Sequence, residues 1–226
     1  DARLASVEVG LKCINPKLDM WVLPAWDCLP FDRLSPQGAL VGRRIETLAR
    51  ICAGEAPSIL LTTINAIVQK LPPVDFFTDN SLVVSPASAH SPASLAEFLS
   101  NHSYLRTDTV RETGEFAIRG GIVDVFPPGY SDPVRLDFFG DEIETMRVFD
   151  AASQRSTGRL DRLVLRPVAE FMLTEANISR FRTGYLKAFG GSASRDALYE
   201  SVSAGRMHPG IEHWLPLFHD RLATLE

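Results

Sequence analysis

Between Gly114 and Asp150, apolar and polar residues alternate in four short runs separated by turn-forming residues. A period of two sends successive side chains to opposite faces of a strand, so the pattern predicts a four-stranded meander. Phe116 and Ile118 mark the inward side of the first strand, and Gly120-Gly121 ends it. The second strand covers 122–126 and stops at Pro127-Pro128-Gly129, and the third covers 134–139. Gly140-Asp141 has the composition of a two-residue hairpin turn, from which 142–149 returns antiparallel. In the third strand Val134, Leu136 and Phe138 share one face, while Arg135, Asp137 and Phe139 share the other. The same parity places Arg119 on that second face.

A solvated sheet face is normally polar throughout, yet this one ends in a phenylalanine beside an arginine. Two readings follow from the residues alone. In one, Phe139 packs under a loop and the arginines pair with Asp137 and Asp124. In the other, ring and guanidinium groups form the centre of a protein-binding surface, where such side chains are enriched.

Elsewhere the pattern is helical or broken. Residues 1–11 have a weak helical periodicity, and 20–23 read as a buried strand. The segment PAWDCLPFDRLSP crowds three prolines, Trp26 and Phe31 into a stretch too broken for regular structure. Ser35-Pro36 reads as a capped helix start, with Val41, Ile45, Leu48 and Cys52 on one face and Gly54 as the stop. A strand over 58–61 and a helix over 63–71, closed by Pro72-Pro73, complete an alternation that predicts α/β with a parallel sheet. The character changes near Asn80. An apolar run at 82–84, a helix opened by Ser91-Pro92 with Leu95, Phe98 and Leu99 inward, extended residues 104–110 and the meander predict α+β. Beyond Pro167, 174–189 is amphipathic through Ile178, Phe181, Tyr185 and Phe189, and a short helix follows over 196–203. The last stretch, HPGIEHWLPLFHD, is aromatic and turn-rich. Boundaries are therefore expected near Ser81 and Pro167, giving parts 1–80, 81–167 and 168–226.

Composition narrows the function classes. The chain carries a net charge of −5, and residues 81–167 hold nine Arg and no Lys against twelve Asp plus Glu. That balance opposes nucleic-acid binding by bulk electrostatics, and makes every basic group in the segment planar and bidentate. No apolar run is long enough to cross a bilayer and no secretory leader is visible, so a cytoplasmic setting is expected. Three scattered cysteines, Cys13, Cys28 and Cys52, fit a reducing compartment and read as buried, inert thiols. The phosphate-cradling G-x-x-x-x-G-K-[ST] loop is absent from these residues, although a chain lacking an initiator methionine is expected to be a piece of a longer protein. Asp141-Glu142-Ile143-Glu144 has the look of a helicase acid box, but it follows a hairpin glycine rather than an apolar parallel strand. His208 and His213 flank Pro209-Gly210 with no cysteine nearby in sequence, which argues against zinc. Neither a catalytic group, a metal nor a cofactor is expected.

Several strings occur in a telling order: LPAWDCLPFDRLSP, then Arg43 or Arg44, TTINAIVQKLPP, GEFAIRGGIVDVFPPG, VRLDFFGDEIETMRVFD and PGIEHWLPLF. Together they cover nearly the whole chain, which resembles the N-terminal region of the bacterial transcription-repair coupling factor (Mfd) family. The resemblance implies a partial, degenerate helicase-like parallel-sheet domain over 1–80, similar to the first domain of UvrB but without working ATPase motifs. It implies an inserted antiparallel-sheet UvrA-interaction domain over 81–167, and part of a small UvrB-like domain from Val168. In the family, two arginines and a phenylalanine on the insert's sheet contact UvrA. Matched by motif, these are Arg119 of AIRGG, Arg135 of PVRLDFF, and Phe139 at the end of that string. The implied role is a non-catalytic adaptor that brings nucleotide excision repair to stalled RNA polymerase. ATP, magnesium, polymerase and double-stranded DNA would be engaged by other parts of the parent protein. Two alternatives stay open: a UvrB-like ATP-dependent damage-loading protein whose phosphate loop lies upstream, and a DNA-contacting module using Arg119, Arg135 and Arg147. On the adaptor reading, Arg135→Glu is expected to weaken docking and leave the fold intact.

Overall fold

The structure, a computed structural model, describes residues 2–29 and 32–225. Phe31 of the proline-broken segment lies outside the described residues. The first part contains α1 (Ala2–Ile14), β1 (Met20–Leu23), α2 (Gly38–Cys52), β2 (Ile59–Thr62), α3 (Ile64–Val68) and α4 (Val74–Asp79). β1 and β2 pair in parallel, with Met20 opposite Ile59 and Leu23 opposite Thr62. α2 buries Val41, Ile45 and Leu48 as its periodicity requires, and Thr47 Oγ1 donates to Val22 O at 2.9 Å, tying helix to strand. Leu23, Leu48, Ala66, Leu71, Phe76 and Phe77 close this core.

Two local expectations are corrected here. α2 starts after Gln37, which makes no side-chain cap, because Ser35 is engaged elsewhere. Its hydroxyl donates to Glu212 Oε2 at 2.7 Å and accepts from Gly210 N at 3.1 Å. Nor does one helix fill 63–71. α3 ends at Val68 because Gln69 turns extended, and Leu71 then exchanges backbone hydrogen bonds of 3.0 and 2.8 Å with Ala223.

The middle part contains β3 (Leu82–Val84), α5 (Pro92–Asn101), β4 (Leu105–Arg106), β5 (Glu115–Arg119), β6 (Ile122–Val125), β7 (Val134–Phe139), β8 (Glu142–Phe149), β9 (Ser156–Arg159) and β10 (Leu163–Leu165). Ser91 caps α5 by accepting from Ser94 N at 3.0 Å, and Leu95 and Leu99 are buried. The sheet runs β4-β5-β6-β7-β8-β9, six strands where the alternation marked four. β4 is parallel to β5, and the remaining neighbours are antiparallel. Gly140 sits at φ +62° in the β7–β8 turn, the left-handed geometry a tight hairpin needs. Phe116, Val123, Val125, Val134, Leu136, Ile143 and Met146 line the inner face and pack with Leu95, Leu99 and Tyr104. β3 and β10 pair antiparallel, so the chain enters and leaves this unit on neighbouring strands.

The last part contains α6 (Glu175–Phe189), α7 (Ala197–Ser203) and 3-10 turns through Ile211–Leu217. Thr174 and Asp196 cap the two helices. Phe171, Phe181, Tyr185, Tyr199 and Phe218 form its aromatic core. α2 also holds the strap that leads from the sheet to this part. Arg44 Nε donates to Glu170 Oε1 at 2.6 Å with both side chains buried, its Nη1 donates to Pro24 O, and Arg166 pairs with Glu46. No helix among the described residues is long and apolar enough to cross a membrane.

Candidate docking surface

The outer face of the six-stranded sheet is built in rows fixed by register. Ala117, Asp124, Arg135, Arg147 and Arg159 lie opposite one another across β5 to β9. The next row is Arg119, Ile122, Asp137 and Thr145, and beyond it Phe139 stands opposite Glu142. Directly opposed residues project from the same side, so Arg119, Arg135 and Phe139 share this face as parity predicts. β8 carries one extra residue, Glu144, between the partners of Asp137 and Phe138, a bulge that increases twist toward the hairpin tip.

The face is covered at one end and open at the other. At the covered end Val110, Ala117 and Phe149 are buried with Phe126 packed against them, a small outer cluster that alternation alone did not signal. At the open end Phe139 is 80% exposed. The ring is therefore not packed under a loop, although the arginines do pair within the sheet.

Asp124 organises the arginines. Its side chain is buried, and it accepts from Arg135 Nε at 2.7 Å and Nη2 at 2.9 Å, a bidentate fork. Arg119 Nη2 donates to the same carboxylate at 2.5 Å. The Arg119 side chain remains 49% exposed, against 16% for Arg135. The Arg135 guanidinium also stacks over Phe149, 4.6 Å from the ring centroid. Hydrogen bonding to Asp124 raises its pKa further. This geometry corrects the expectation for Arg135→Glu. A new carboxylate beside buried Asp124 and above an aromatic ring would disturb the sheet as well as any docking. Arg147 pairs with Asp137 at 2.7 Å, and Thr145 donates to the same acid at 2.8 Å.

Other candidate chemistry is brought together only in part. Cys28 Sγ lies 3.8 Å from His213 Nε2, a proximity hidden by their separation in sequence. Burial and then the charges of Asp27 and Glu212 push the thiol pKa up, the opposite of the shift that activates a thiolate nucleophile. The expectation of buried cysteines is corrected too, since Cys13 is exposed and Cys28 and Cys52 are half-buried. Among the described residues no group of three or more His, Cys, Asp or Glu could hold a metal ion. Asp141 and Glu142 sit at an antiparallel hairpin, as turn chemistry requires.

Residues 83–171, which contain this whole sheet, match the family model described as the UvrB interaction domain. The chain is 35% identical over 207 residues to the transcription-repair-coupling factor of Rickettsia typhi, covering 92% of this chain and 18% of that protein. The Escherichia coli transcription-repair-coupling factor is 35% identical over 196 residues, covering 87% and 17%, and that of Haemophilus influenzae 33% over 209, covering 92% and 18%. This chain belongs to the transcription-repair-coupling factor family. It spans less than a fifth of the length of these curated relatives. Two coupling-factor strings far apart in sequence meet in space, PAWDCLPFDRLSP and PGIEHWLPLF. Trp26 packs edge-on against His213 with centroids 5.8 Å apart, and Ser35 bonds Glu212. Gly210 has φ +80° with the Arg33 backbone 3.3 Å from where a Cβ would stand, so any side chain there would be both strained and crowded.

Proposed function

We propose that this chain is a non-catalytic docking adaptor that, within a coupling factor, binds UvrA through the outer face of its sheet. Phe139 is the anchor, and Arg119 and Arg135 are the flanking donors. The observation that carries this reading is a phenyl ring left 80% exposed at the open end of a face whose arginines are already oriented by a buried carboxylate. Burying such a ring in an apolar pocket contributes about 2 kcal/mol or more. Holding the guanidinium groups in place beforehand lowers the entropy lost on binding. The side-by-side entry and exit strands β3 and β10 support a unit inserted over 81–167. The parallel β1–β2 pair supports the reading of 1–80 as part of a degenerate helicase-like domain, with part of a small UvrB-like domain from Val168. In the cytoplasm of the cell, the parent protein would bring excision repair to stalled RNA polymerase. The ATP- and magnesium-dependent motor, the polymerase contact and the grip on double-stranded DNA would belong to its other parts.

Phe139→Ala tests the reading cleanly, because an exposed ring supports no core. The variant is expected to lose retention on immobilised UvrA while keeping the parent's melting temperature. Undiminished retention would remove Phe139 from the interface.

A further inference from the structure

The register places three guanidinium groups in one row on neighbouring strands: Arg135 on β7, Arg147 on β8 and Arg159 on β9. Adjacent strands lie about 4.8 Å apart, and like charges directly opposite one another are unfavourable. Two of the three are offset locally, Arg135 by Asp124 and Arg147 by Asp137. Arg159 forms no ion pair among the described residues, and the whole of β9 is exposed. The fold thus tolerates an uncompensated cation beside another cation at the edge of its sheet.

Resting on the docking reading above, we infer that the surface continues from Arg135 through Arg147 to Arg159. It fits a protein surface whose carboxylates form a strip crossing these three strands, beside an apolar pocket for Phe139. Discrete carboxylates can be seated opposite Arg147 and Arg159 while avoiding Asp124, Asp137 and Glu142. A continuous phosphate backbone cannot avoid them, because those acids lie in and beside the same rows. Arg159 is the new element. It lies on a strand with no apolar alternation, and it would be completed only by the partner.

The test measures UvrA affinity and salt dependence for the 226-residue chain and four variants: Arg159→Glu, Arg159→Gln, Phe139→Ala and Arg206→Glu. Arg206 is an exposed arginine in the last part of the chain and controls for bulk charge. Arg159→Glu should weaken UvrA binding about fivefold or more, with Arg159→Gln intermediate and Arg206→Glu near the parent. Its melting temperature should match or exceed the parent's, because a carboxylate opposite Arg147 relieves repulsion. Unchanged affinity for both Arg159 variants, with Phe139→Ala defective, would overturn the extension and leave the docking reading standing. Unchanged affinity for Phe139→Ala as well would remove both. Loss of duplex DNA binding by Arg159→Glu with UvrA affinity intact would also overturn the inference, assigning the row to phosphates.

Discussion

Two guanidinium groups share the carboxylate of Asp124, and their unequal exposure gives them different work. Arg135 is mostly covered, forked onto Asp124 and stacked on Phe149, so it stiffens the sheet and, in the proposed docking, would offer a partner only an edge. Arg119 is half exposed and uses only one nitrogen on Asp124, which leaves its other donors available. Asp124→Ala is therefore expected to cost about 3 kcal/mol, because it strands Arg135 over an aromatic ring without its counter-charge. Urea unfolding measures this, and a loss below about 1 kcal/mol would show that Asp124 is not the anchor. Parity alone placed Arg119, Arg135 and Phe139 on one face. It could not show that Asp124 is buried between the arginines, since that contact depends on the register of two successive hairpins. Of the two readings open from the residues, the pairing with Asp124 was right for the arginines, and exposure was right for the ring.

Two serines followed by proline show how much an element's boundary depends on its surroundings. Ser91-Pro92 opens α5 as local chemistry dictates, whereas Ser35-Pro36 precedes α2 without capping it. Ser35 is captured by Glu212 and Gly210, residues far along the chain. Aspartate is as good a helix cap as serine, so Ser91→Asp should be close to neutral in a thermal melt. Ser35→Asp would set a second carboxylate against Glu212, whose own pKa burial already raises, and should melt several degrees lower. Equal melting of the two variants would contradict this assignment. The meander was legible because alternate residues along each strand are apolar and face the inner core. β9 was not, since all four of its residues are exposed and no alternation can arise. α4 was hidden for a different reason: a six-residue helix bracketed by Pro73 and Asn80 is too short to show a period.

At the scale of the whole molecule, the first and last parts of the chain are joined by polar contacts around the buried Glu170. Its carboxylate takes Arg44 and the Trp26 indole, and its carbonyl lies 2.8 Å from His219 Nε2. That an arginine on α2 would be wholly buried was not legible in the residues, because its partner lies 126 positions away. Burial lowers the pKa of His219 and of His102, so both fold in the neutral form. The unfolded chain takes up their protons near pH 6.5, before the native state does. Their contribution is thus complete above that pH and is lost as pH falls below it. Glu212 acts in the opposite sense, since its raised pKa lets the folded state bind a proton first. The histidines alone should make the melting temperature drop from about pH 7 to about pH 6, with Glu212 working against them, and His219→Gln should flatten that slope. A melting temperature that does not change over this interval would contradict the assignment of neutral, buried histidines.

The central claim concerns the face that carries the exposed ring, and a calorimetric titration of UvrA into the chain and into Phe139→Ala tests it most directly. The predicted result is saturable binding by the parent chain and an affinity at least tenfold weaker for a variant that melts at the same temperature. Equal affinities for the two folded proteins would contradict it.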